Sequence, residues 1–215
     1  LVFLWIFSAE VVSALTRLGY MPTMYQSVLV AGAPQRNARF KGLHYHEKGT
    51  VLPVPALQLG KSYLDKLASC FRSLRDEDSS VIGEVARVGA RTLRDGHDIY
   101  AFLIGHFPVY QHGAPGDPAF MHRIDGSKPE MPSASQLEEK LKPGDLFVMF
   151  GYYHRPREAY EVAQRRGART VEVIAGTDEP EFGEPMPDYV IRPWWPYGDS
   201  LVAIPGYDVK ILPSS

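Results

Sequence analysis

Few residues in this sequence carry chemistry beyond packing, and their surroundings say which chemistry. His106 follows the apolar run Ile99 to Ile104. An imidazole titrates near neutrality and can act as general acid or base, although a lone histidine at a strand end more often holds structure. His154 and Arg155 stand in Gly151-Tyr152-Tyr153-His154-Arg155-Pro156. A guanidinium fork suits a phosphate or carboxylate, and the imidazole adds a donor; the alternative is an exposed loop whose Arg and His only cap and solvate. Glu10 lies among apolar residues of a helical stretch. There it is either a buried carboxylate able to take a proton or, more simply, half of a salt bridge at the helix edge. Thr177-Asp178 is placed to cap a turn or touch a polyol. His44-Tyr45-His46-Glu47 alternates, which on a strand puts both imidazoles on one face. No third metal ligand can be assigned, so a polar loop is the simpler reading and no metal site is expected. Trp194-Trp195, flanked by prolines, reads first as subunit packing and second as a sugar-stacking platform.

These residues need a frame, and composition bounds it. The chain has 215 residues, 45% apolar and 22% charged, so a globular domain with a sizeable core is expected rather than a disordered or coiled-coil chain. The net charge of −2 provides no global basic field for nucleic acid or an anionic membrane surface. Cys70 is the single cysteine, which excludes an intrachain disulfide and any zinc site built from two cysteines; reducing cytoplasm is the default compartment. The opening run Leu1 to Phe7 lacks a basic flank for a signal peptide and is too short to span a bilayer before Glu10.

Leu4, Phe7, Val11, Leu15 and Leu18 repeat with helical spacing and Gly19 follows as a stop, predicting one largely buried helix over 1–18; a strand at 1–6 before a Ser8-capped helix competes with it. Residues 21–30 suggest a short extended segment and 31–60, rich in Gly and Pro, an irregular arm. Helices are predicted over 61–75 and from Asp76 to Gly96. Apolar runs at 99–104, 146–150 and 170–174 read as buried parallel strands, with a short helix near 135–141 and another opened by Pro156. Residues 105–135 look loop-rich, and 189–191, 201–204 and 209–212 read as further short strands. Helices alternating with strands after residue 60 predict an α/β, Rossmann-like, mainly parallel sheet with helices on both faces. Ligands of such sheets bind beyond the carboxyl ends of the strands, which selects the loops after Ile104, Phe150 and Ile174.

From residue 61 onward the chain resembles the SIS (sugar isomerase) phosphosugar-binding family. The resemblance rests on Ile99 to His106 as first strand and turn, Lys142 to Phe150 as second strand, Glu158 to Ile174 with Arg166-Gly167-Ala168, and the closing stretches Gly198 to Val202 and Ile211 to Ser215. Ser8 to Val12 and Arg17 to Pro22 are similar to the last helix and tail of a SIS subgroup, an order that implies a circular permutation or a junction of tandem units. The expected division is therefore a helix and arm over 1–60 and a SIS-type three-layer sandwich over 61–215.

The resemblance implies a phosphorylated or acidic sugar as ligand, homo-oligomers and no cofactor. It assigns Gly105, Gly151, Tyr152, Tyr153, His154, Arg155, Thr177, Ser214 and Ser215 to the binding loops. The family's Ser/Thr-rich loop is here replaced by Tyr152 to Arg155, and Phe107 stands where a serine is expected. Two activities follow. One is an aldose/ketose sugar-phosphate isomerase, with His106 and Glu10 as acid–base candidates. The other is a non-catalytic module that senses a sugar derivative or serves assembly, which the lost hydroxyls favour.

Overall fold

The computed structural model describes residues 1–28, 30–104, 120–128, 131–151, 155–174, 185–196, 198 and 200–213. The chain divides into a terminal unit, residues 1–72 with 195–215, and a central unit, 73–194. The boundary expected after residue 60 falls inside a helix, α3 below.

In the central unit a π-helical turn, Leu74–Asp78, opens α4 (Ser79–Arg94). There follow β1 (Ile99–Leu103), three short strands β2 (His122–Arg123), β3 (Gly126–Lys128) and β4 (Met131–Pro132), and α5 (Ala134–Lys140). Then come β5 (Leu146–Gly151), α6 (Arg157–Arg165), β6 (Arg169–Ile174) and β7 (Tyr189–Ile191). Five strands form one all-parallel sheet in the order β2-β1-β5-β6-β7, while β3 and β4 make a separate antiparallel pair.

Both faces of this sheet are covered, which is why its strands read as continuous apolar runs. Side chains alternate across the pleat. Tyr100, Phe102, Phe147 and Met149 join Leu137 of α5 and Ala159, Tyr160 and Ala163 of α6 on one side. Ile99, Ala101, Leu146 and Val148 meet Val88 and Val85 of α4 on the other. The predicted parallel α/β sheet with helices on both faces is thus the observed architecture. Carboxylates tie the strand starts together. Buried Asp145 accepts from the backbone N–H groups of Asp98 (2.9 Å) and Lys142 (2.8 Å). Asp188 accepts from the Thr170 N–H and hydroxyl.

The terminal unit holds α1 (Val2–Arg17), α2 (Ala33–Arg39), α3 (Gln58–Ser73) and the antiparallel pair β8 (Ser200–Val202) and β9 (Ile211–Pro213). Its core gathers Ala9, Val12, Met21, Leu59, Tyr63, Leu201, Val202 and Ile211. Two expectations are corrected here. The 31–60 arm is not wholly irregular, because Pro34 sits in the first turn of α2, where its fixed φ and missing N–H favour a helix start. Among the described residues of 21–30, extended pairing is confined to the antiparallel bridge of Pro22 with Tyr45 and the flanking Thr23–His44 and His46–Met21 hydrogen bonds.

The helix predicted over 1–18 is present, but it is not largely buried. It buries Ala9, Val12, Ser13 and Thr16 and leaves Phe3 87%, Phe7 66% and Leu18 70% exposed. The apolar residues wind around both sides of α1, and only one side meets the core of its own unit.

Candidate functional site at the carboxyl edge of the sheet

The chain reaches β1 from α4, continues to β2 on one side, then crosses to β5 on the other. The order of strands therefore reverses between β1 and β5. At such a switch point the connections diverge and leave a crevice outside the carboxyl ends. Leu103 pairs with Phe150, Gly151 with Ile174, and the Ile104 N–H donates to the Phe150 carbonyl, so the ends of β1, β5 and β6 lie level at this edge. Of the predicted site residues, Gly151 ends β5 and Arg155 precedes α6. Gly105, His106, Tyr152, Tyr153, His154, Thr177, Ser214 and Ser215 lie outside the described residues.

Arg155 was expected to lie open to a ligand; the structure places it differently. Its Nε donates to Glu172 Oε2 at 2.9 Å and its Nη2 to Glu172 Oε1 at 2.8 Å. Both side chains are buried, 1% and 0% exposed. Tyr160 donates its hydroxyl to Glu172 Oε2 at 3.0 Å, and Arg155 Nη1 lies 2.7 Å from the Met186 sulfur. Burial, then the Glu172 charge, pushes the Tyr160 phenol up, so it stays a neutral donor. A buried carboxylate is costly unless paired and hydrogen-bonded, and here both conditions are met. The pair links Arg155, just before α6, to Glu172 in the middle of β6.

Glu172 and Tyr160 were not singled out from the sequence. The available signal was a charged residue inside the buried run Thr170 to Ile174, which requires a partner.

Glu10, the other acid–base candidate, belongs to the terminal unit. Its carboxylate accepts from the backbone N–H of Leu57 at 2.7 Å and of Gly60 at 3.3 Å. These are the unpaired donors at the start of α3, so Glu10 caps that helix from α1. Leu57 has φ 67°, a left-handed conformation that costs about 1 kcal/mol or more for a side-chain-bearing residue, and the charged acceptor helps hold it.

His44 is exposed, whereas His46 Nε2 lies 2.8 Å from the Tyr207 hydroxyl. Behind His46, Arg36 donates to both carboxylate oxygens of Asp208 at 2.7 Å. Burial is the main cause holding the His46 imidazole below its ordinary value, and the Arg36 charge adds to it. Among the described residues no group of three metal-ligating side chains converges, and no helix is long and apolar enough to cross a membrane. Trp195 packs against the terminal core, and the Trp194 indole N–H donates to Asp78.

No protein-family model matches the chain, and no curated protein matches it. Among solved structures, it is similar to a phosphoheptose isomerase from Francisella tularensis, with a TM-score of 0.47 and 12% identity over 61% of this chain and 82% of that one.

Proposed function

We propose that this protein binds a phosphorylated or acidic sugar at the carboxyl edge of β1, β5 and β6. The observation that carries the reading is the reversal of strand order between β1 and β5; ligands of open parallel sheets bind beyond the carboxyl ends at such a reversal, and Gly105-His106 and Tyr152-Tyr153-His154 follow β1 and β5 in the sequence. The sequence resemblance to SIS phosphosugar-binding proteins selects the same edge. Tyr152, Tyr153, His154, Thr177, Ser214 and Ser215 are the proposed contacts, and His106 is the proposed acid–base group if the bound sugar is isomerised. Arg155 is a positioning residue: anchored on Glu172, it ties the start of α6 to β6. Glu10 is a helix cap rather than a base.

Calorimetry with a panel of hexose and heptose phosphates tests the reading, with NMR of the same mixtures reporting any aldose–ketose interconversion. Binding without interconversion selects the non-catalytic module. No heat with any member of the panel removes the reading.

The exposed side of α1 favours assembly as well. Phe3, Leu4, Phe7, Val11 and Leu18 fall on one helical face opposite the buried Ala9, Val12 and Thr16. Together they expose on the order of 600 Å² of apolar surface, at the upper limit of what monomers present and close to one side of a standard interface. A second copy of this chain is proposed to cover that face. Sedimentation should show a dimer or larger species that Phe3→Glu/Phe7→Glu dissociates; a parent chain that sediments as a stable monomer contradicts it.

A further inference from the structure

The opposite edge of the same sheet carries a second polar cleft, of about 350 Å³, in the central unit. Arg91, Thr92, Asp95, His97, Gly144 and Arg169 line it. It lies where α4 ends and β1, β5 and β6 begin. We propose that this cleft binds a small phosphate-bearing molecule, independently of the carboxyl-edge site and using none of its residues.

Charge is the first reason. The Arg91 side chain makes no hydrogen bond to a described residue, although its charge acts on Asp95, and the Arg169 side chain makes one long contact, 3.4 Å to the Tyr189 hydroxyl. Asp95 is the one carboxylate of the lining, and Arg94 holds it through two hydrogen bonds of 2.8 and 3.1 Å. With that pair neutral, two guanidinium groups set the sign of the cleft. Planar guanidinium forks match phosphate oxygens in pairs, which surface ammonium groups do not.

The second reason is that the backbone at this helix end opposes an anion less than an uncapped C-terminus would. A helix C-terminus normally presents free carbonyls. Here α4 closes in a Schellman turn: Gly96 has φ 80°, the His97 N–H donates to the Thr92 carbonyl, and the Gly96 N–H donates to the Leu93 carbonyl. Thr92 is buried as a residue, and its hydroxyl has no hydrogen bond to a described residue.

The third reason is that the cleft is shaped. Gly144 has φ 93°, and a Cβ there would lie 2.6 Å from His97 Cε1 and Nε2. The imidazole therefore rests on a backbone that only glycine supplies, with Nδ1 3.9 Å from buried Asp145. Asp145 is in turn pinned by two backbone N–H groups. The volume lies at the small end of the range for ligand pockets, about 300–1,000 Å³, which fits a phosphate with few attached atoms rather than a macromolecule.

The test is amide NMR of the full chain titrated with inorganic phosphate. Saturable shifts confined to residues 91–98, 144 and 169 are expected. Arg91→Gln and Arg169→Gln should each weaken binding about tenfold, and Arg91→Glu should abolish it, whereas Lys140→Ala, outside the cleft, should leave it unchanged. Glucose 6-phosphate should reproduce the shifts and glucose should not. No saturation, shifts scattered over the surface, equal shifts with glucose, or an Arg91→Glu spectrum that is dispersed and still responds each overturn the proposal.

Discussion

Two arginine–carboxylate pairs, one in each unit, have nearly the same geometry and opposite surroundings. Arg36 meets Asp208 with both oxygens at 2.7 Å, and Arg155 meets Glu172 at 2.9 and 2.8 Å. Asp208 is 51% exposed, however, whereas Glu172 is fully buried. Water can replace Arg36 as the partner of Asp208; nothing can replace Arg155 as the partner of Glu172 without leaving a charge stranded. Burial, not bond length, decides how much each pair matters to the fold, and it makes the central pair an anchor between the start of α6 and β6.

The largest effect should come from breaking the central pair on one side only. Glu172→Leu leaves the Arg155 guanidinium buried without its carboxylate and should destabilise by about 3–5 kcal/mol in urea unfolding. Adding Arg155→Met should restore most of that loss, because a buried pair replaced by apolar groups of similar size is often neutral. If the double variant is as unstable as Glu172→Leu alone, a stranded charge is not the cause.

Glu10→Ala comes next. It removes the acceptor for the Leu57 and Gly60 N–H groups and should cost about 1–2 kcal/mol, the usual range for a lost helix cap. The effect should be seen first as faster amide exchange at the start of α3.

Asp208→Asn should cost less than Glu172→Leu, because Asp208 is half exposed, an amide oxygen can still accept from Arg36, and the buried Arg36 guanidinium keeps the Met24 carbonyl and the Tyr207 hydroxyl as acceptors. A Glu172-sized penalty at Asp208 would erase the contrast between the two regions.

The smallest effect is titration of the terminal network. Burial, then Arg36, holds His46 below the ordinary imidazole value of 6.5, so the folded chain binds fewer protons than the unfolded one as pH falls through that value. The His46 contribution is whole above this pH and declines as pH drops toward the folded value. Asp208, held low first by its hydrogen bond from Arg36, contributes above 3.8, and its share is lost as pH falls further, through its folded value. His46→Gln should flatten the upper part of the stability–pH curve and leave the acid limb in place.

The two regions were also unequally legible. The central sheet could be read because strands buried on both faces must be apolar throughout, as Ile99 to Leu103 and Leu146 to Phe150 are. Strands β2, β3 and β4, of two or three residues, are too short to show alternation. The anchor was half visible: Arg155 stood out, but its partner is separated by all of α6 and emerges only when β5 and β6 pair. In the terminal unit the helical period of α1 was clear, yet periodicity cannot tell an apolar face covered by its own fold from one left open. Short α2 follows a stretch whose glycines and prolines read as loop, although Pro34 at a helix start is favourable.

The central claim is that the carboxyl edge, marked by the β1/β5 switch point, takes an anionic sugar. Amide NMR of the full chain with hexose and heptose phosphates tests it most directly. The account predicts that one member of the panel moves the resonances of Leu103 to His106, Gly151 to Arg155 and Thr177 together, with a single saturation curve. Shifts that saturate only around Arg91 and Arg169, or no saturable shift with any sugar phosphate, would contradict it.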